Sequence, residues 1–103
     1  MEDPYAEIEL IQMTIVIPDH VVFRTFAAET VILNVQTGQY HGLNNTAGSM
    51  LKALQRTGEL RAAARDLAAE FSQPIKRVEH DLRTFCESLR TRGLIEISDH
   101  SEP

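Results

Sequence analysis

Apolar and polar residues change rhythm once along this chain, near residue 44. Upstream, β-branched residues alternate with polar ones, the period of a strand with one face on a core. Downstream, Ala, Leu, Arg and Glu recur at helical spacing. Ile11, Met13, Ile15 and Ile17 share one side of a short strand that Pro18 and Asp19 interrupt. Residues 20–26 and 29–35 read as two further strands. Gln36, Thr37 and Gly38 turn the chain, with Gly38 supplying the positive φ of a tight hairpin, and residues 39–43 return as its last strand. Asn44 and Asn45 then offer side-chain acceptors to free backbone N–H groups, the mark of a helix start. Ala47, Met50, Leu51 and Leu54 form the inner stripe of a first helix that stops near Thr57 and Gly58. Leu60, Ala63, Ala64, Leu67, Ala68 and Phe71 mark a second helix. Pro74 stops it and starts a third, because proline fits a helix's first turn and not its interior. That third helix carries Ile75, Val78, Leu82, Phe85 and Leu89 on one stripe and ends at Gly93; residues 94–97 predict a short terminal strand.

A helix, a brief break and a longer helix make a helix-turn-helix, and the strands before it make it winged. The predicted fold class is therefore α+β: a winged helix-turn-helix with a three-stranded antiparallel sheet followed by three helices. The connections are short, so the last strand, 39–43, lies at a sheet edge with one row of unpaired backbone groups. A three-residue loop with a bulge at Gly38 puts Val31, Leu33, Val35 and Leu43 on one core face; a two-residue loop sends Leu43 to the other face. Tyr40 reads as a half-buried cross-strand partner, and Gly42 as a point where another backbone comes close or as a bulge. An edge strand free of proline beside a long amphipathic helix makes a cleft in which an extended peptide adds itself as a further strand.

Composition narrows the chemistry. The 103 residues carry 10 basic and 15 acidic side chains, a net charge of −5, which opposes loose attachment to nucleic acid or anionic lipid. The third helix sets Lys76, Arg77, Arg83, Arg90 and Arg92 against Glu79, Asp81 and Glu87, a thin surplus for lying between two phosphate backbones. No apolar run reaches the roughly 18 residues of a membrane span, and the acidic start is unlike a signal peptide, so a cytoplasmic location is expected. No nucleophile elbow, phosphate loop or His-Glu-x-x-His occurs; no catalytic residue, cofactor or metal is assigned, and the chain is not read as an enzyme. His41, His80 and Cys86 would form a metal triad only if strand 39–43 packs on the third helix. The plainer reading is two surface histidines and one buried thiol.

Residues 21–24 and 29–48 resemble the N-terminal half of the PqqD family. The most diagnostic run is Asn34-x-x-Thr37-Gly38-x-Tyr40-x-Gly42-Leu43-Asn44, followed by Thr46, Ala47 and Gly48. Leu-Ala-Ala-Glu-Phe at 67–71, the long third helix and Arg92-Gly93-Leu94-Ile95 resemble its C-terminal half. The resemblance spans residues 14–97, leaving 1–13 as an unplaced extension and 98–103 as a tail. It implies a RiPP recognition element, a winged-helix module that captures the leader of a ribosomally made precursor peptide. By that resemblance the backbone of Tyr40, His41, Gly42 and Leu43 pairs with the leader. Lys76, Arg77, His80, Asp81 and Thr84 line the helical wall, with Val31, Leu33, Leu82 and Phe85 beneath. A free-standing chain of this pattern looks most like the leader-binding proteins of lasso-peptide clusters, whose partner is a separate leader peptidase. The alternative is a PqqD-type peptide chaperone for a radical-SAM enzyme. This chain has no Trp and lacks the aromatic-rich second strand of the quinone-synthesis members. A winged-helix DNA-binding regulator is the remaining alternative.

Overall fold

The structure, a computed structural model, describes residues 13–99. Its elements run β1 (Met13–Val16), β2 (Val21–Thr25), β3 (Thr30–Asn34), β4 (Tyr40–Leu43), α1 (Asn45–Thr57), α2 (Leu60–Phe71), α3 (Ile75–Thr91) and β5 (Glu96–Asp99). β2, β3 and β4 form the expected three-stranded antiparallel meander, and the three helices follow. β1 stands apart from that sheet. It pairs antiparallel with β5, Ile15 opposite Ile97, and the Ile15 N–H donates to Gly58 O at 2.8 Å, pinning this ribbon to the α1–α2 turn. The first strand therefore leaves the edge of β4 alone. Met13, Ser98 and Asp99 lie in this ribbon, whereas the calls on residues 1–12 and 100–103 lie outside the described residues.

Each helix end has a local cause. Asn44 Oδ1 accepts the Ala47 N–H at 2.9 Å and caps α1, and Gly58, left-handed at φ 73°, closes it. Pro74 holds the N-cap of α3. At the far end of α3 the Leu94 N–H returns to Leu89 O at 2.9 Å, which drops Leu94 and Ile95 into the core. The core joins Ile15, Val21 and Ile32 to Leu51 and Leu54 of α1, Leu60 and Leu67 of α2, and Val78, Leu82, Cys86 and Leu89 of α3. Each fully buried Leu or Ile contributes about 1.5–3 kcal/mol. Ala63 and Ala64, both buried, keep α2 thin where its neighbours close around it.

The hairpin register corrects one expectation. Asn34 N–H donates to Gln39 O at 2.9 Å and the Gly38 N–H returns to Asn34 O, so the loop holds four residues, 35–38, with Gly38 at φ 79°. Asn34 Oδ1 organises it by accepting the Gln36 N–H at 2.9 Å and the Thr37 N–H at 3.3 Å. Thr30 faces Leu43, Val31 faces Gly42, Ile32 faces His41 and Leu33 faces Tyr40. Side chains alternate across a sheet, so Thr30, Ile32, His41 and Leu43 point toward the helices. Val31, Leu33 and Val35 point the other way and do not share the core face with Leu43.

Candidate leader-binding edge and groove

Two features of the fold offer a surface to a partner. The first is the outer edge of β4, which pairs with β3 and with nothing else among the described residues. In an antiparallel pair, residues alternate between bonding across the ladder and facing away from it. Asn34 and Gln39 are a bonded pair, so His41 and Leu43 spend their backbone groups on β3. The N–H and C=O of Tyr40 and Gly42 point outward. Of the four residues expected to offer backbone to a leader, these two are oriented to do so. Their side-chain positions lie on the sheet face away from the helices, where Tyr40 is 72% exposed and more open than a half-buried partner of Leu33 would be. A Cβ at Gly42 would come 2.6 Å from Glu29 Oε2, the tip of a mobile side chain. Among the described residues Gly42 therefore marks neither a bulge nor the close approach of another stretch of this chain's backbone.

The second feature is a groove of about 440 Å³ where the start of α1, the end of α2 and the start of α3 meet. Thr46 and Met50, Leu67 and Phe71, Gln73, and Arg77, Val78 and Asp81 line it. Its floor is apolar and its rim carries one cation, one carboxylate, an amide and a hydroxyl. Thr46 follows Leu43 by three residues, and α1 packs against β3 and β4, so the start of α1 links the groove to the strand that carries the free edge.

The helical wall divides by phase. At 100° per residue, with Val78, Leu82, Cys86 and Leu89 buried, Arg77, Asp81 and Thr84 fall on one flank of α3. Arg77 and Asp81 reach the groove; Thr84 is exposed beside them, its Oγ1 donating to His80 O at 3.2 Å. Lys76, about 125° from the buried direction, and His80, about 165° from it, fall on the other flank; both are exposed and neither lines the groove. Phe85 is half-buried against the core, and Leu82 is fully buried within it. Val31 and Leu33 do not lie beneath this site, because the register puts them on the opposite sheet face. Met50, Leu67, Phe71 and Gln73 line the groove without having been singled out as site residues. The first three carry the same apolar spacing as any core stripe, so nothing in the sequence separated a groove wall from a core wall.

Cys86 belongs to the core. Burial, with the charge of Glu87 adding to it, pushes its thiol from 9.0 up to about 12, so it stays protonated and unreactive at neutral pH. His41 lies on the helix-facing side of the sheet and His80 on the solvent side of α3, so the triad with Cys86 does not assemble. No group of three or more His, Cys, Asp or Glu side chains among the described residues is placed to hold a metal ion. No helix among those residues is long and apolar enough to cross a membrane.

The sequence profile of the family described as Coenzyme PQQ synthesis protein D (PqqD) matches residues 29–95. Two solved structures share the fold. One, described as TbiB1 in complex with the TbiA(beta) leader peptide, is 32% identical. It superposes with a TM-score of 0.72 over 78% of this chain and 93% of that one. The other, described as lasso peptide synthetase B1 complexed with the leader peptide, is 20% identical. Its TM-score is 0.71 over 81% of this chain and 98% of that one, a likeness of fold. No curated protein matches the chain.

Proposed function

This chain belongs to the PqqD family, and from that premise we propose that it binds the leader segment of a ribosomally made precursor peptide and presents it to a separate processing enzyme. The observation that carries the reading is the free edge of β4, whose Tyr40 and Gly42 backbone groups await a strand. The 32%-identical relative is itself a complex with a leader peptide. A leader added along β4 gains main-chain hydrogen bonds at Tyr40 and Gly42, which hold any sequence. An apolar side chain beyond the end of the strand enters the groove of Met50, Leu67, Phe71 and Val78, where Arg77 and Asp81 add selectivity. The adaptor carries out no chemistry. Holding the leader raises the local concentration of the attached core peptide at the enzyme to the order of millimolar. By analogy with lasso-peptide systems the enzyme is a leader peptidase, acting in the cytoplasm.

Backbone geometry makes the test specific. On titration with synthetic peptides from small reading frames adjacent to this gene, hydrogen exchange should slow at the amides of Tyr40 and Gly42 when the leader binds. His41 and Leu43, already bonded to β3, should change little. Gly42→Pro removes an outward N–H and no β3 ladder bond, a change that edge strands accept. It should fold and lose at least about tenfold in leader affinity. Unaltered exchange at Tyr40 and Gly42 with leader bound would reject strand addition.

A further inference from the structure

A carboxylate stands over the bare backbone of Gly42. The Phe26 N–H donates to Glu29 O at 2.7 Å across the turn between β2 and β3, which sets Glu29 just ahead of Thr30, the first residue of β3. By alternation its side chain shares the outer sheet face with Val31 and Leu33. Arg24, opposite Val31 on β2, is its diagonal neighbour and the ordinary partner for an exposed acid. Among the described residues no ion pair joins the two. Glu29 turns instead toward β4, where its Oε2 lies 2.6 Å and its Cδ 3.7 Å from the place a Gly42 Cβ would take. The carboxylate fills the space of the side chain that Gly42 lacks.

We infer that Glu29 selects a basic side chain, lysine or arginine, at the leader position beside Gly42; the inference rests on the leader-binding reading above. In a strand added to β4 in either direction, the residue beside Gly42 turns its side chain to the same face as Gly42. Its Cβ comes about 4.5–5.5 Å from the Gly42 Cβ position, so a long side chain there reaches the Glu29 carboxylate. Glycine is what opens this path, because a side chain at position 42 would stand between the carboxylate and the leader. Tyr40, exposed two residues away on the same face, adds an aromatic ring, which attracts a cation as well. An acidic leader residue in this place meets repulsion. Arg24 does not cancel the preference. Its backbone lies two strands from β4 and three from the leader, roughly 14 Å, beyond the Debye length of about 8 Å at physiological salt. Glu29 is exposed, so the contact discriminates between leaders more than it anchors them.

The test takes whichever adjacent-frame peptide slows exchange at Tyr40 and Gly42. That peptide is resynthesised in two series, with a single Lys or a single Glu at each position in turn. Both series are titrated against the parent chain and its Glu29→Lys and Glu29→Gln variants. At one position Lys should bind the parent about fivefold tighter than Glu. Glu29→Lys should invert that order and Glu29→Gln should erase it. Charge preferences at every other position, including any set by Arg77 and Asp81, should not depend on residue 29. The same preferences in the parent and both variants, with exchange at Tyr40 and Gly42 still slowed, overturn this role of Glu29 and leave strand addition standing. Should none of the peptides slow those amides, strand addition fails and the role of Glu29 fails with it.

Discussion

At the scale of single residues, two glycines that look alike in sequence do different work. Gly48 is buried where α1 crosses β3, and a Cβ there would stand 2.5 Å from Thr30 Oγ1 and 3.2 Å from Thr30 Cβ. Thr30 has little room to yield, being buried itself with its hydroxyl 3.3 Å from that of Thr25. Gly48→Ala should therefore cost about 1–3 kcal/mol in urea unfolding. Gly42→Ala meets only the end of the Glu29 side chain and should stay within about 0.5 kcal/mol. Equal losses at the two positions would show that the α1–β3 contact is looser than described. The sequence drew attention to Gly42, because a glycine within a strand stands out. The close approach sits at Gly48, and a glycine in a helix that begins Asn-Thr-Ala-Gly carries no local sign of what crosses it.

Among the elements, the helices were legible and the hairpin only partly so. Helix ends follow from caps such as Asn44, Gly58 and Pro74, whose chemistry is local. The β3–β4 register depends on loop length, and Val35 made the wrong length attractive: an apolar residue in step with Val31 and Leu33 looks like more of a core face. Apolarity marks burial against something without saying whether that something is the same chain. On α3 the difficulty was phase. Lys76, Arg77, His80 and Asp81 are all exposed, and exposure alone groups them as one wall. Only the position of the groove separates Arg77 and Asp81 from the others. The separation is measurable. Arg77→Glu should weaken leader binding by about tenfold. Lys76→Glu and His80→Glu should change it by less than about twofold, since an exposed charge away from the contact contributes little. A larger loss from His80→Glu than from Arg77→Glu would place the leader on the solvent side of the helix.

For the molecule as a whole, charge has to be located before it is interpreted. The surplus carboxylates are Glu2, Asp3, Glu7, Glu9 and Glu102, all outside residues 13–99, within which acids and bases balance. Among residues 13–99 the expectation that acidity opposes nucleic-acid binding therefore has no net charge to rest on, and the argument must come from the placement of their charges. On α3, Glu79, Asp81 and Glu87 are interspersed with Lys76, Arg77, Arg83 and Arg90, so the helix carries no unbroken run of positive charge. A protein that neutralises six to ten phosphates loses about 10³–10⁵ in affinity between 50 and 200 mM salt, as condensed counterions reclaim the duplex. Strand addition on a balanced body should behave otherwise. Its main-chain hydrogen bonds and apolar groove contacts are indifferent to ionic strength, and screening reaches only the contributions of Arg77 and Asp81 at the rim and of Glu29 beside Gly42. Leader affinity measured by calorimetry should fall by no more than about threefold over that salt range, with a negative heat-capacity change from apolar burial in the groove. A steep salt slope with no heat-capacity change would mean that charge, and not the free edge of β4, holds the partner.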